Sequence, residues 1–143
     1  MTHTRLLVTL LFLAFWTPAE AMICIEIPIK VREVRGFVSF EDDIDDQFCT
    51  GIDVTVLSRD GEILASTATD ENCEFEISGL ATGWYELFVE APIGFDSCRN
   101  PLRVKWNPLR FATKKQIRVF LPIQQIESCG GWAELVPFNT EQH

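Results

Sequence analysis

From residue 34 onward, apolar and polar residues alternate with period two in short runs separated by turn-forming residues. In "VRGFVSF", Val34, Gly36, Val38 and Phe40 share one face. In "IDVTVLS" the shared positions are Ile52, Val54 and Val56, and "ILASTAT" is a weaker run of small and β-branched residues. "EFEIS" sets Phe75 and Ile77 against Glu74, Glu76 and Ser78. "WYELFVEA" sets Tyr85, Leu87, Val89 and Ala91 against Trp84, Glu86, Phe88 and Glu90. "LRVKW" puts Leu102, Val104 and Trp106 on one side, and "QIRVFLP" does the same with Ile117, Val119 and Leu121. Successive side chains on a strand point to opposite faces, so each run predicts a strand with one apolar face. No segment keeps a helical period.

The residues between the runs are turn formers. Asp60-Gly61 in "SRDGE" is a hairpin signal, "TDEN" follows the third run, and "GLATG" supplies Gly79 and Gly83 between the fourth and fifth. "PIGFDSCRNP" and "NPLRFATKK" read as longer loops. Seven short strands at this spacing predict an all-β fold, a seven-stranded antiparallel Greek-key β-sandwich with one two-sheet core. Parity then orders the loops. If successive strands run antiparallel, the first, third and fifth loops lie at one end, which collects Cys49, Cys73 and Cys98. The last strand also exits there toward Cys129. Two bridges among these four are open, and Cys24 with Cys129 competes if the "CIEIPIK" arm folds along the last strand. The odd fifth cysteine is left free or pairs between chains.

The N-terminus changes the setting. Arg5 precedes the apolar run Leu6–Trp16, then Pro18 and an Ala19-Glu20-Ala21 site. That run is too short to span a bilayer and reads as a secretory signal peptide over residues 1–21, removed after Ala21. Residues 22–143 are then one domain, with a core at 34–121 and a C-terminal tail at 122–143. No later segment predicts a transmembrane anchor. The expected location is secreted or periplasmic, where disulfides persist. The cysteines form no C-x-x-C pair, so a zinc site fits poorly. The net charge of −9 repels phosphate backbones and disfavours nucleic acid as a partner.

The stretches "VRGFVSF", "GIDVTVL" and "ASTATDENCEFEISGLATGWYELFVEAPIGF" resemble the carboxypeptidase regulatory-like domain, a transthyretin-like β-sandwich. Val34, Gly36, Val38, Gly51, Val54, Thr69, Asp70, Phe75, Leu80, Gly83, Tyr85, Leu87 and Phe95 fall on its pattern. The likeness covers about Val34 to Phe95, and loosely extends to Leu121. Cys73 stands where that pattern has a turn glycine, so either the turn differs or a disulfide holds it. The resemblance implies a folding or interaction module. It carries over no catalytic residue and no cofactor.

Candidate chemistry is sparse. Beyond the leader the single histidine is His143, the last residue, and the single tyrosine is Tyr85, which parity points inward. A positioned general base is missing, so no enzyme is expected. "VEAPIGF" faintly resembles the box of isopeptide-forming Cna B-type domains. But Glu90 lies two residues before Pro92, where that box needs four, and no asparagine lies in the last strand to accept Lys30. Asp42, Asp43, Asp45 and Asp46 in "EDDIDD" have oxygen ligands suited to calcium. Their spacing fits no EF-hand loop, and a solvated acidic loop is the preferred reading. Phe37, Trp84, Phe88 and Phe120 fall on outer faces and form a candidate binding face. The tail "CGGWAELVPF" is expected to cover Trp84 and Phe88 with Trp132 and Phe138, and Trp106 is expected in the core. The sequence thus points to an exported non-catalytic module with a structural or protein-interaction role. The alternative is a carbohydrate- or small-ligand-binding module using Trp84 and Phe88. The partner class is another protein or a glycan, and the oligomeric state is left open.

Overall fold

The computed structural model describes residues 24, 26–41, 48–106, 114–126 and 128–138. The stretch 1–21 expected to be a signal peptide, the calcium candidates Asp42, Asp43, Asp45 and Asp46, and His143 lie outside the described residues.

The fold is all-β and its strands form two mixed sheets. Nine strands run among the described residues: β1 (Ile29–Val31), β2 (Val34–Phe40), β3 (Asp53–Leu57), β4 (Ile63–Ala68), β5 (Glu74–Ile77), β6 (Gly83–Val89), β7 (Cys98–Val104), β8 (Lys115–Leu121) and β9 (Trp132–Pro137). One sheet has the order β1-β7-β6-β3-β4 and the other β5-β2-β8-β9. The expected seven strands become nine because the N-terminal arm and the tail each add an edge strand. The pairing is not uniformly antiparallel either, since β1 runs parallel to β7 and β2 parallel to β8.

The period-two faces meet between the sheets. Val54, Val56, Leu87, Val89 and Leu102 from one sheet join Val34, Val38, Ile117, Val119 and Leu121 from the other in a single buried cluster. Full burial of each large aliphatic side chain contributes about 1.5–3 kcal/mol, so this cluster is the main stabilising term. Gly36 sits opposite Ile117 in the β2–β8 pair. A Cβ placed there would lie 1.9 Å from the Ile117 carbonyl oxygen, so no other residue fits.

Two sequence expectations fail for local reasons. Trp106 is 70% exposed, not core. Strand β7 ends at Val104, and alternation fixes a side chain's face only while the ladder continues. Cys98 is not in a loop but opens β7, a strand that contains Pro101. Proline is tolerated there because the β1 ladder begins one residue later, at Leu102.

The hairpin at Asp60-Gly61 forms as expected. The Gly61 N–H donates to the Ser58 carbonyl at 3.0 Å, and Gly61 has φ 84°. Disulfides join Cys49 to Cys73 and Cys24 to Cys129, leaving Cys98 free. Cys24 reaches Cys129 although its arm leads into β1, which pairs with β7 rather than with the last strand. No helix among the described residues is long and apolar enough to cross a membrane.

Candidate functional site

The four outward aromatics do not form one face. Phe37 and Phe120 belong to β2 and β8 of the four-stranded sheet, and Trp84 and Phe88 belong to β6 of the five-stranded sheet. The tail also goes elsewhere than expected. It returns as β9 beside β8, where Trp132 packs on Phe120 with ring centroids 4.3 Å apart. Phe138 lies under the Arg35 guanidinium at 4.5 Å. Pairing β9 with its sequence neighbour β8 places Trp132 and Phe138 at the four-stranded sheet, not over Trp84.

On the outer face of the four-stranded sheet Arg118 also forms an ion pair with Glu134, while Trp132 and Phe138 stay exposed. The outer face of the five-stranded sheet is richer in cations. Arg103 is the cross-strand neighbour of Trp84, and its guanidinium lies 5.0 Å from the indole centre. Arg59, from the β3–β4 hairpin, approaches the same ring at 5.7 Å. Arg99 is the cross-strand neighbour of Phe88 and lies over it at 5.0 Å. Each such contact contributes about 0.5–1 kcal/mol at an exposed site and also fixes the orientation of the guanidinium. Trp84 remains 38% exposed.

Charge on this face is poorly balanced. Arg99 pairs with Glu86 at 2.6 Å. Among the described residues, Arg59, Arg103 and Lys30 have no carboxylate partner. Lys30 on β1 is the direct cross-strand neighbour of Arg103. Adjacent like charges on a sheet oppose pairing, so this cationic row is a cost on a chain of net charge −9.

The arginines escaped notice in the sequence because charged residues on a strand's polar side read as solvated. Spacing carried the missing signal: Arg99 and Arg103 are four apart, as are Trp84 and Phe88, so each pair shares a face. Only the β6–β7 register sets one pair opposite the other.

Two other places were candidates for chemistry. A cleft of about 550 Å³ lies between the N-terminal arm and β9, lined by Ile27, Ile29, Arg99, Trp132 and Leu135 among others and bordered by Cys24 and Cys129. Beside it, the buried Asn100 amide donates to the Ile27 carbonyl at 3.0 Å and ties the arm to β7. The Cys98 thiol is fully buried. Burial, aided by the charge of Glu26, pushes its pKa up to about 12, which makes it a poor nucleophile. Among the described residues, no group of three or more His, Cys, Asp or Glu is placed to hold a metal ion. Tyr85 donates its hydroxyl to the Ala81 carbonyl at 2.6 Å, a turn-fixing contact.

No family model matches the chain. A stretch of 46 residues is 35% identical to serine-aspartate repeat-containing protein D of Staphylococcus aureus strain Newman, and equally to that of strain MW2. The alignment covers 32% of this chain and only 3–4% of those proteins. Such a local likeness does not place the chain in a family.

Proposed function

We propose that the chain is an exported, non-catalytic β-sandwich module that acts by contact, with the outer face of the five-stranded sheet as its contact surface. The observation that carries this reading is the cationic row on that face, which holds arginines over Trp84 and Phe88 and leaves Arg59, Arg103 and Lys30 without carboxylate partners among the described residues. The two disulfides fit an oxidising exterior, secreted or periplasmic. In this reading the scaffold is the Greek-key sandwich of the carboxypeptidase regulatory-like class, with β1 and β9 added at its edges.

A second reading, a carbohydrate-binding module, draws on Trp84 alone. This indole keeps more than a third of its surface open. One experiment tests the contact surface. The mature chain is applied to immobilised neutral polysaccharides, acidic polysaccharides and polypeptides, beside a Trp84→Ala/Arg103→Ala double variant of unchanged melting temperature. Retention that the double variant loses is the expected result. No retention on any surface, or retention that survives the double variant, overturns the assignment of this face.

A further inference from the structure

We infer that β4 is an edge for self-association, to which a second copy of this chain adds its own β4 antiparallel, about a two-fold axis. This goes beyond the contact surface proposed above and does not depend on it. Among the described residues four strands end the two sheets: β1, β4, β5 and β9. An edge strand presents unpaired N–H and C=O groups, and proteins blunt it by shortness, charge, proline or a bulge. β1 has three residues, follows Pro28 and carries Lys30. β5 has four residues and carries Glu74 and Glu76. β9 carries Glu134 and ends at Pro137. β4 has six residues, none of them charged and none a proline. Its one interruption is a register shift between Ile63 and Ala65, which leaves Ala65 to Ala68 regularly paired with β3.

The phase of the ladder shows which groups are open. Hydrogen-bonded and non-hydrogen-bonded pairs alternate along antiparallel strands. The Thr69 N–H donates to the Ile52 carbonyl at 3.0 Å, so Thr69, Thr67 and Ala65 turn their backbone groups toward β3. The other side of β3 agrees. The Glu90 N–H donates to the Asp53 carbonyl at 3.0 Å, which turns Asp53 and Thr55 toward β6 and leaves Val54 and Val56 for β4. Ser66 and Ala68 therefore direct their N–H and C=O groups out of the sheet. Both residues are exposed, and no hydrogen bond among the described residues uses those groups.

Charge selects a second copy as the occupant. With the two-fold axis at Thr67, Ser66 of each copy faces Ala68 of the other, and each such pair exchanges both hydrogen bonds. Ala65 then faces Thr69 and Thr67 faces itself, so no charge lies opposite a charge, and threonine pairs are favourable cross-strand neighbours. The same operation fails at the other edges. On β9 the Phe138 N–H bonds to Lys114, so Ala133 and Leu135 open outward, and pairing them sets Glu134 against its own copy. On β5 the Val38 N–H bonds to Cys73, and the outward pair sets Glu74 against Glu76. On β1 the Lys105 N–H bonds to Val31, and Lys30 meets itself. Like charges directly opposite are destabilising. On a chain of net charge −9, β4 is the edge of these four where two copies meet without facing charges.

The test is sedimentation velocity of the mature disulfide-bonded chain from about 1 μM to about 1 mM, the span of weak to moderate affinities. The average mass should climb toward twice that of the monomer. Added salt should strengthen association, because it screens the repulsion between two acidic chains. Ser66→Pro removes an N–H that a single chain leaves unpaired, and proline is tolerated at such an edge position. It should weaken association at least tenfold at an unchanged melting temperature. Thr67→Cys keeps the test open should the proline variant fail to fold. A non-hydrogen-bonded pair places its Cα atoms about 4.5 Å apart, within disulfide reach, so mild oxidation should cross-link Thr67→Cys chains and leave Ser66→Cys chains uncrosslinked. A chain that stays monomeric throughout overturns the inference and leaves this edge to a different partner strand. Association that salt abolishes would assign it to ion pairs elsewhere and also overturn the inference. So would association that a folded Ser66→Pro retains in full, or equal cross-linking at the two positions.

Discussion

Cys73 is the residue whose replacement tests the turn geometry most sharply. It has φ 64°, the left-handed region that suits glycine. The turn around it is held independently of its side chain. Asp70 Oδ1 accepts from the N–H groups of Asn72 and Glu74, each at 2.9 Å, and the Cys73 N–H donates to the Asp70 carbonyl at 3.1 Å. The Val38 N–H donates to the Cys73 carbonyl at 2.9 Å. With the backbone so constrained, the left-handed conformation should outlast the loss of the disulfide. The comparison is between Cys49→Ala/Cys73→Ala and Cys49→Ala/Cys73→Gly. Both lose a cross-link of sequence separation 24, about 3.5 kcal/mol on the chain-entropy relation. Alanine at this position also carries about 1–2 kcal/mol for its Cβ in the left-handed region. Glycine avoids that, but gives back about 0.4–1 kcal/mol through its freer unfolded chain. The glycine variant should therefore be the more stable by about 1 kcal/mol. Equilibrium urea unfolding reads the difference as a shift in midpoint at constant slope. Equal midpoints, or a more stable alanine variant, would refute the reasoning.

Three further outcomes follow from particular contacts. Gly36→Ala should cost more than about 3 kcal/mol or prevent soluble folding, because the new methyl meets the Ile117 carbonyl at 1.9 Å and neither strand can retreat; recovery of folded protein with a near-normal urea midpoint would contradict it. The buried Thr69 hydroxyl donates to the Cys49 carbonyl and accepts the Ile52 N–H at 2.8 Å. Thr69→Val should thus cost about 1–3 kcal/mol in urea unfolding for the stranded Ile52 donor, while Thr69→Ser keeps most of that stability. Native Cys98 should resist a thiol reagent that labels it once the chain is unfolded in denaturant. Its folded pKa lies above the unfolded value of 9.0, so its contribution is complete below that pH and is lost as pH rises toward about 12, by about 1.4 kcal/mol per unit; Cys98→Ala should lack this added alkaline slope.

The core was legible because burial acts position by position. Val54, Leu87, Leu102 and Ile117 were assigned inward from alternation alone, and all four are fully enclosed. Cys73 stood out only because the resembled pattern has a turn glycine there, and its φ of 64° together with its disulfide answers the question that departure raised. The edges were not. "IKV" is too short to declare a strand, and "WAELVP" becomes one by pairing with β8. Both parallel pairings join residues distant in sequence, and no local pattern encodes a partner. Trp106 was misassigned because alternation cannot say where a ladder stops. The aromatic half of the candidate face was visible, since Trp84 and Phe88 break the expectation for outward positions. Its cationic half needed the register of three strands.

The two cross-links show how the fold manages what the strands leave open. A two-sheet fold has open sides where edge strands face each other without hydrogen bonds between sheets. Cys24 and Cys129 lie just before β1 and β9, the edge strands on one side. Cys49 lies before β3, next to edge strand β4, and Cys73 directly before β5, the opposing edge. Each bridge thus ties the approach of a strand in one sheet to the approach of an edge strand in the other. The first also anchors the arm leading into β1, a three-residue strand that carries Lys30. Cross-linking through the sides keeps the sheets together without using either outer face. That division leaves the five-stranded sheet free to hold Arg103, Trp84 and Lys30 in a row the fold itself would disfavour.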